Sequence, residues 1–371
     1  MSTSPSIIVA GHVCLDIIPQ FDAGEAGTLA RLAPGALLEV GPATLATGGA
    51  VSNTGLALHR LGLPVRLMGK IGDDLFGDAV RRIFAERGPG LADGLLRSRG
   101  EPTSYTVVIN PPGIDRVFLH CPGANDTFGA DDVPYEDLTG AALFHFGYPP
   151  LMRRFYKHAD ELERLLRGVK QRGAVTSLDM AKPDPASAAG RADWREIMRR
   201  ALPQADVFLP SLDEIVYMLD PAGTRLGGGA NNGIKINRDL LSSVTDELLG
   251  MGTAVVGLKL GDQGFYVRTT SDAARLEPLR ALLSESWESW LDRELLTPCF
   301  AVDVAGTTGC GDCTIAGFLA GLARGLTLDD AATTAVATGA CCAERPDATS
   351  GVPDWDSLQT RIATGWRRRQ L

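Results

Sequence analysis

Gly306-Thr307-Thr308-Gly309-Cys310-Gly311-Asp312-Cys313-Thr314-Ile315-Ala316-Gly317 is the stretch on which the reading of this chain turns. An apolar run, Cys299 to Val304, precedes it and reads as a strand. A Gly/Thr turn follows, and Asp312 then stands where an apolar, helix-compatible segment begins (Ile315, Phe318, Leu319, Leu322). Glycines free the backbone to bend, so that successive N–H groups can point at one spot. Unpaired amides at a helix start carry partial positive charge and suit a phosphate or a developing oxyanion. A carboxylate in the same place can take a proton from a hydroxyl. Anion cradle plus base is equipment for phosphoryl transfer to an alcohol. The competing reading is that Asp312 merely caps the helix, since Asp is a favoured cap residue. No Gly-Lys-Ser/Thr follows the glycines, so this is not a Walker A loop.

A distant segment tips the balance. Residues 48–77 open with Gly48-Gly49-Ala50-Val51-Ser52-Asn53 and run through a short helix, a turn at Gly62–Pro64 and a strand from Val65 to Met68. They end in Gly69-Lys70-Ile71-Gly72-Asp73-Asp74-Leu75-Phe76-Gly77. The glycine pair permits close approach to a ligand, and Asn53 offers both a donor and acceptors at a helix start. Together with 306–317, this segment resembles the ribokinase-like (PfkB) family of sugar and nucleoside kinases, from about residue 6 to about residue 353.

Further matches fall in the family's order. Ile7 to Gly11 reads as the first strand, leading to Asp16, which is similar to the family's acid for substrate hydroxyls. Pro102 to Asn125 resembles the strands that close over the substrate, and Leu178-Asp179 a mid-sheet strand end. Ser211-Leu212-Asp213-Glu214 resembles an Asn-x-x-Glu element near metal and phosphates, with Ser211 where Asn is usual. Lys259-Leu260-Gly261-Asp262-Gln263-Gly264 resembles the nucleotide-side Gly-x-x-Gly turn. Gly306 stands where the family commonly has an Asp that supports a monovalent cation, the nearest upstream acid being Asp303; this argues against potassium activation.

The resemblance implies a layered α/β/α fold with a mostly parallel central sheet and a small β lid: one kinase domain over 1–371, with lid segments near 12–47 and 101–124. It implies transfer of the γ-phosphoryl group of ATP to a hydroxymethyl group of a carbohydrate. Asp312 would be the base and the amides of Gly309, Cys310 and Gly311 the anion hole. Asp16, Gly48, Gly49 and Asn53 would bind substrate; Ser211, Lys259, Gly261 and Gly264 would serve the nucleotide, and Glu214 the Mg2+. A nucleoside kinase of the same fold is the nearest rival, with Tyr105, Phe118 and Phe128 as candidates to sandwich a base. A sugar- and nucleotide-binding regulator without turnover is the alternative from another class.

Bulk properties agree with an enzyme of this kind. The 371 residues, 44% hydrophobic and 22% charged, are those of an ordinary globular chain. Net charge is −9 with scattered basic residues, which argues against nucleic acid as a partner. The arginines 367–369 read as a solvated tail. No apolar run approaches the roughly 18 residues of a spanning helix, and the start lacks a basic signal region. Seven cysteines, an odd number, fit reduced thiols, so the expectation is a cytoplasmic enzyme. Cys310-Gly-Asp-Cys313 lacks a partner pair at zinc spacing and reads as small residues in a tight turn.

Short apolar runs of buried-strand type, at 142–146, 174–178, 207–209 and 254–258, alternate with helical patterns. Leu75, Ala79 and Ile83, with Phe76, Val80 and Phe84, predict a helix with a broad buried face. Leu162, Leu165, Leu166 and Val169 predict another, and His145 is expected in the core. Ser104–Cys121 alternates like an antiparallel pair around a type II turn at Pro112-Gly113. Such a ribbon serves as a lid or in dimer contact, and its open strand edges would suit a homodimer. Gly227 to Gly233 reads as a surface loop, and residues 221–236 and 270–298 look longer than the family usually has.

Overall fold

A computed structural model describes residues 5–21, 34–110, 117–226 and 234–370. The turn at Pro112-Gly113 and the Gly227–Gly233 patch lie outside the described residues. The strands, in chain order, are β1 (Ile7–Gly11), β2 (Cys14–Pro19), β3 (Ala43–Gly48), β4 (Val65–Gly72), β5 (Leu95–Ser98), β6 (Tyr105–Ile109), β7 (Val117–Cys121), β8 (Leu143–Gly147), β9 (Val175–Leu178), β10 (Val207–Phe208), β11 (Val255–Lys259), β12 (Phe265–Thr269) and β13 (Glu294–Thr297). Nine of them form one sheet in the order β13-β12-β11-β10-β9-β8-β1-β4-β5. From β11 to β5 every pairing is parallel, and β12 and β13 add an antiparallel edge.

The short strands are apolar on both faces because helices cover both. Along β1, Ile7 and Val9 enter one apolar cluster with the helices Ala50–Arg60, Cys310–Ala323 and Leu328–Ala343. Ile8 and Ala10 enter the other, with Glu161–Lys170, Trp194–Ala201 and Leu212–Leu219. A period of two thus splits one strand between two cores and fixes the three layers.

The remaining strands form a second sheet, β3-β2-β6-β7, outside the layers. Only His12 and Val13 separate β1 from β2, so the chain steps from the large sheet into the small one beside the C-terminal ends of the parallel strands. Asp74 braces this junction: it caps the helix Leu75–Arg87 through the Gly77 amide at 2.8 Å and accepts from the Thr103 amide at 2.8 Å and hydroxyl at 2.6 Å, just ahead of β6. Leu45, Val117, Phe118 and Leu119 of the small sheet are exposed.

Three expectations need correction. Cys299–Val304 is extended but belongs to neither sheet: Pro298 ends β13 and supplies no N–H, and Ala301 N and Cys299 O pair instead with Arg367 and Arg369. That pairing also docks the C-terminal segment. Arg368 lies over the Phe300 ring, 3.7 Å from its centroid, and Arg369 pairs with Asp262 at 3.0 Å, so the basic tail is not merely solvated. The helix Leu75–Arg87 buries a narrow face, Gly77, Val80 and Phe84, while Leu75 is 84% exposed. The long segment 270–298 is largely core filling: Leu276, Leu279, Leu283 and Trp290 are buried, and Trp290 packs on Phe318.

Candidate active site

β1, β8, β9 and β11 all run toward one edge of the large sheet, where ligands bind in open α/β folds. The residues just past their ends are His12, Tyr148, Asp179 and Leu260. The helix Cys310–Ala323 starts at the same edge. Its cap is Gly309, left-handed at φ 73°, and a Cβ there would come within 2.6–2.8 Å of Ala348; both the turn and its neighbour demand glycine.

Asp312 therefore lies in the first turn and is not the cap. Its carboxylate is 4% exposed and accepts from Asn53 Nδ2 at 3.0 Å, from Tyr148 Oη at 2.8 Å on each oxygen, and more weakly from Thr54 Oγ1 at 3.5 Å. Asn53 is 259 residues away in sequence and arrives because the helix Ala50–Arg60 packs against Cys310–Ala323. Burial pushes the Asp312 carboxyl above the usual carboxylate range, opposed by the Lys259 ammonium and by these donors. Tyr148 holds left-handed backbone (φ 65°), a conformation that costs a non-glycine residue energy.

Lys259, at the end of β11, donates to Asp179 Oδ1 at 2.7 Å, and both groups are buried. Burial works against the ammonium, but Asp179, Glu214 and Asp312 together outweigh it and raise its pKa. Burial likewise raises Asp179 and Glu214, against the pull of Lys259. Three carboxyls thus share one ammonium, and Asp179 Oδ2 has no partner among the described residues. Glu214 closes a capping box, accepting from the Ser211 amide at 2.7 Å. This surplus of buried carboxylate oxygen suits a divalent cation. No group of three or more ligating side chains sits at metal-binding geometry among the described residues, so an ion here would keep much of its water, as Mg2+ prefers.

A cavity of about 730 Å³ opens beside this cluster. Ser211, Lys259, Gly261, Gly264, Cys310 and Gly311 line it, with Phe300, Val302 and Ala340 as apolar wall. Of the three amides expected to hold an anion, that of Cys310 already reaches Thr307 O at 3.3 Å. The Cys313 thiol, and that of Cys342, donate to Ala348 O at 3.2 and 3.3 Å, tying the helix start to the 345–351 loop. Gly306 is packed close: a Cβ there would stand 3.0 Å from Arg345 O and from Pro346 Cα, while Asp303 is exposed.

The other predicted group lies where the two sheets meet. Asp16 is in mid-strand in β2, not in a turn, and burial raises its pKa to about 6. Gly48 ends β3 and Gly49 follows it: a Cβ on Gly48 would fall 2.3 Å from an Asp16 carboxylate oxygen, and one on Gly49 2.5 Å from His12 Nδ1. Cys14 Sγ donates to Asp16 Oδ1 at 3.3 Å, Thr106 Oγ1 reaches Cys14, and the same hydroxyl meets His120 Nδ1 at 3.0 Å.

Sequence reading missed Tyr148, His12, His120 and the pairing of Asp179 with Lys259. Tyr148 and His12 each directly follow a glycine that ends a parallel strand, Gly147 and Gly11, which are register partners; that position was the available signal. His145 is in the core, its Nδ1 paired with Ser177 Oγ at 3.0 Å. Tyr105, Phe118 and Phe128 do not converge: Tyr105 meets Phe76 edge-on, Phe128 is buried against Phe146, and Phe118 is 55% exposed on the outer strand.

Comparison with known proteins places the chain by family and fold. The profile for pfkB family carbohydrate kinases matches residues 6–355. An uncharacterized sugar kinase of Archaeoglobus fulgidus is 24% identical over 80% of this chain and 98% of its own length. The 2-dehydro-3-deoxygluconokinase of Bacillus subtilis is 24% identical over 89% of this chain and 90% of that protein. The structure of Arabidopsis thaliana ribokinase complexed with ribose and ATP superposes with a TM-score of 0.72 at 18% identity, covering 96% of this chain and 98% of that one. No helix among the described residues is long and apolar enough to cross a membrane.

Proposed function

The chain belongs to the pfkB family of carbohydrate kinases, and on that premise we propose that it transfers the γ-phosphoryl group of ATP to a hydroxymethyl group of a sugar, with Asp312 as the base. The observation that carries this reading is the convergence on Asp312. A buried carboxylate of raised pKa, held by Asn53 and Tyr148, stands one residue from a glycine turn that opens into a nucleotide-sized cavity.

The acceptor hydroxyl would lie between Asp312 and the transferring phosphorus. As its oxygen bonds to phosphorus and the bond to the ADP oxygen breaks, its proton passes to the Asp312 carboxylate. The raised pKa makes Asp312, in its ionised form, a better proton acceptor than an ordinary carboxylate. The amides of Gly309 and Gly311, with that of Cys310 if it leaves Thr307, would bind charge on the phosphoryl oxygens, and Lys259 would add a positive charge from the cavity wall. Gly261 and Gly264 let the backbone follow the nucleotide, with Ser211 at the opposite wall. Asp179 and Glu214 would hold Mg2+ through its water, and the ion would neutralise the β- and γ-oxygens. Asp16, Gly48, Gly49 and Asn53 would border the sugar, and the small sheet would act as a lid that excludes water. Its exposed edge strands suit pairing with a second copy. The scatter of Tyr105, Phe118 and Phe128 leaves a base sandwich without support.

The test is magnesium-dependent ADP formation against a panel of pentoses, hexoses, sugar acids, phosphosugars and nucleosides, with Asp312→Asn in parallel. Turnover of a sugar that largely disappears in the variant supports the reading; equal turnover by the variant sinks it.

A further inference from the structure

We propose that His12 and His120 form an acceptor-binding subsite matched to uncharged hydroxyl groups, so that the enzyme selects a neutral sugar or polyol over a sugar acid or a sugar phosphate. This deepens the kinase reading above and rests on it.

His12 is 2% exposed at the step between the two sheets. Its backbone is fully engaged, the amide with Gly147 O and the carbonyl with Val51 N, both at 3.2 Å. Its ring is not: neither Nδ1 nor Nε2 has a partner among the described residues. His145, equally buried, pairs one of its nitrogens with Ser177. Leaving both ring nitrogens of a buried imidazole unmet is costly, and groups so placed call for a ligand or water.

The ring stands at the acceptor side of the site. Its centroid is 6.2 Å from that of Tyr148, whose hydroxyl holds Asp312, and 5.3 Å from that of His120 on β7. His120 connects through Thr106 and Cys14 to Asp16. The subsite thus lies between the proposed base and the proposed hydroxyl-binding acid, with a wall from each sheet.

The chemistry of these groups selects the ligand. Burial holds His12 neutral, its pKa lowered to about 3, and lowers His120 as well. A neutral imidazole presents one donor and one acceptor. A hydroxyl does the same, so adjacent hydroxyls can satisfy both ring nitrogens. A carboxylate or phosphate brings acceptors only: it would leave the His12 lone pair unmet and would sit among the carboxylates of Asp16 and Asp312. Lys259 is engaged with Asp179 and faces the nucleotide-sized cavity instead.

The full chain with Mg-ATP is assayed on matched acceptors: D-fructose against fructose 6-phosphate, D-glucose against gluconate, D-ribose against ribose 5-phosphate. The expected result is a kcat/KM at least 100-fold higher for the neutral member of the best pair. His12→Phe keeps the ring and removes both polar atoms. It should raise the KM of the neutral sugar 10- to 100-fold, with kcat changed less and the KM of ATP unchanged, and His12→Gln should restore part of the loss. Should the His12 variants not fold, His120→Phe on the lid strand carries the same expectation. A sugar acid or phosphosugar as best acceptor overturns the proposal while ADP formation keeps the kinase reading alive. An unchanged sugar KM in His12→Phe, or in His120→Phe where that variant stands in, also overturns it. Absence of any acceptor-dependent ADP removes the kinase reading, and the proposal with it.

Discussion

The two halves of the candidate site are built in opposite ways. On the phosphate side most polar groups are already met, Asp179 Oδ2 excepted: Asp312 by Asn53 and Tyr148, Lys259 by Asp179, Glu214 by the Ser211 amide. On the proposed acceptor side, where the sheets meet, His12 has no partner for either ring nitrogen among the described residues, and Asp16 is held by a thiol. A network that is satisfied before substrate arrives can hold reacting groups in place, which is the condition for electrostatic preorganisation. A set of buried groups left unmet gains most when a complementary ligand fills it. On the proposed function, the phosphate side would be arranged for chemistry and the acceptor side for selection.

That contrast can be broken by mutation. Asp312→Asn should cause the largest change, a fall in kcat of about 10³- to 10⁴-fold, the range of a lost general base, with the circular-dichroism melt little altered. A loss under tenfold would mean the carboxylate is not the base. Lys259→Met should lower kcat/KM for ATP about 100-fold. It should also destabilise the fold by about 3 kcal/mol, because Asp179 is left buried and uncompensated; thermal melts and ATP titrations check the two effects separately.

Tyr148→Phe sharpens the comparison, since Tyr148 touches both halves. Its hydroxyl donates to the ionised form of Asp312 and so lowers that group's pKa. Removing it should raise the Asp312 pKa further, and the acid limb of the kcat–pH profile should move to higher pH. A kcat loss of about tenfold at neutral pH, reduced as pH rises, is the expected pattern; an unmoved acid limb would detach Tyr148 from the base. Asp16→Asn probes the other half. The folded pKa of about 6 lies above the unfolded value, so the ionised form is penalised in the fold. The penalty is absent below pH ~4 and complete above pH ~6. The variant should melt higher than wild type at pH 8, lose that advantage as pH falls toward 4, and bind acceptor more weakly. The smallest effect is expected from replacing potassium by a large organic cation: with Gly306 packed against Arg345 and Pro346, activity should stay within about twofold, as steady-state rates would show.

Legibility followed the same division. The turn at 306–312, the glycine pair at 48–49 and the strand runs could be read from the chain, because left-handed backbone and apolar periodicity are local properties. The run Cys299–Val304 had a strand's composition, yet it pairs with the C-terminal segment, and composition does not name a partner. Burial of one helix face was overestimated at Leu75 for a related reason: a pattern shows which side of a helix can be buried, and packing decides how much of it is.

By itself, the sequence determined the layered architecture, the order of its elements and the glycine turn with its acid, since these depend on the conformational preferences of neighbouring residues. Only the tertiary structure decided that Asp312 meets Asn53 across 259 positions and Tyr148 across 164, that Lys259 pairs with Asp179, and that the buried His12 ring finds no partner among the described residues. Hydrogen-bond partners and burial are set by which elements pack together, and that is a property of the whole chain.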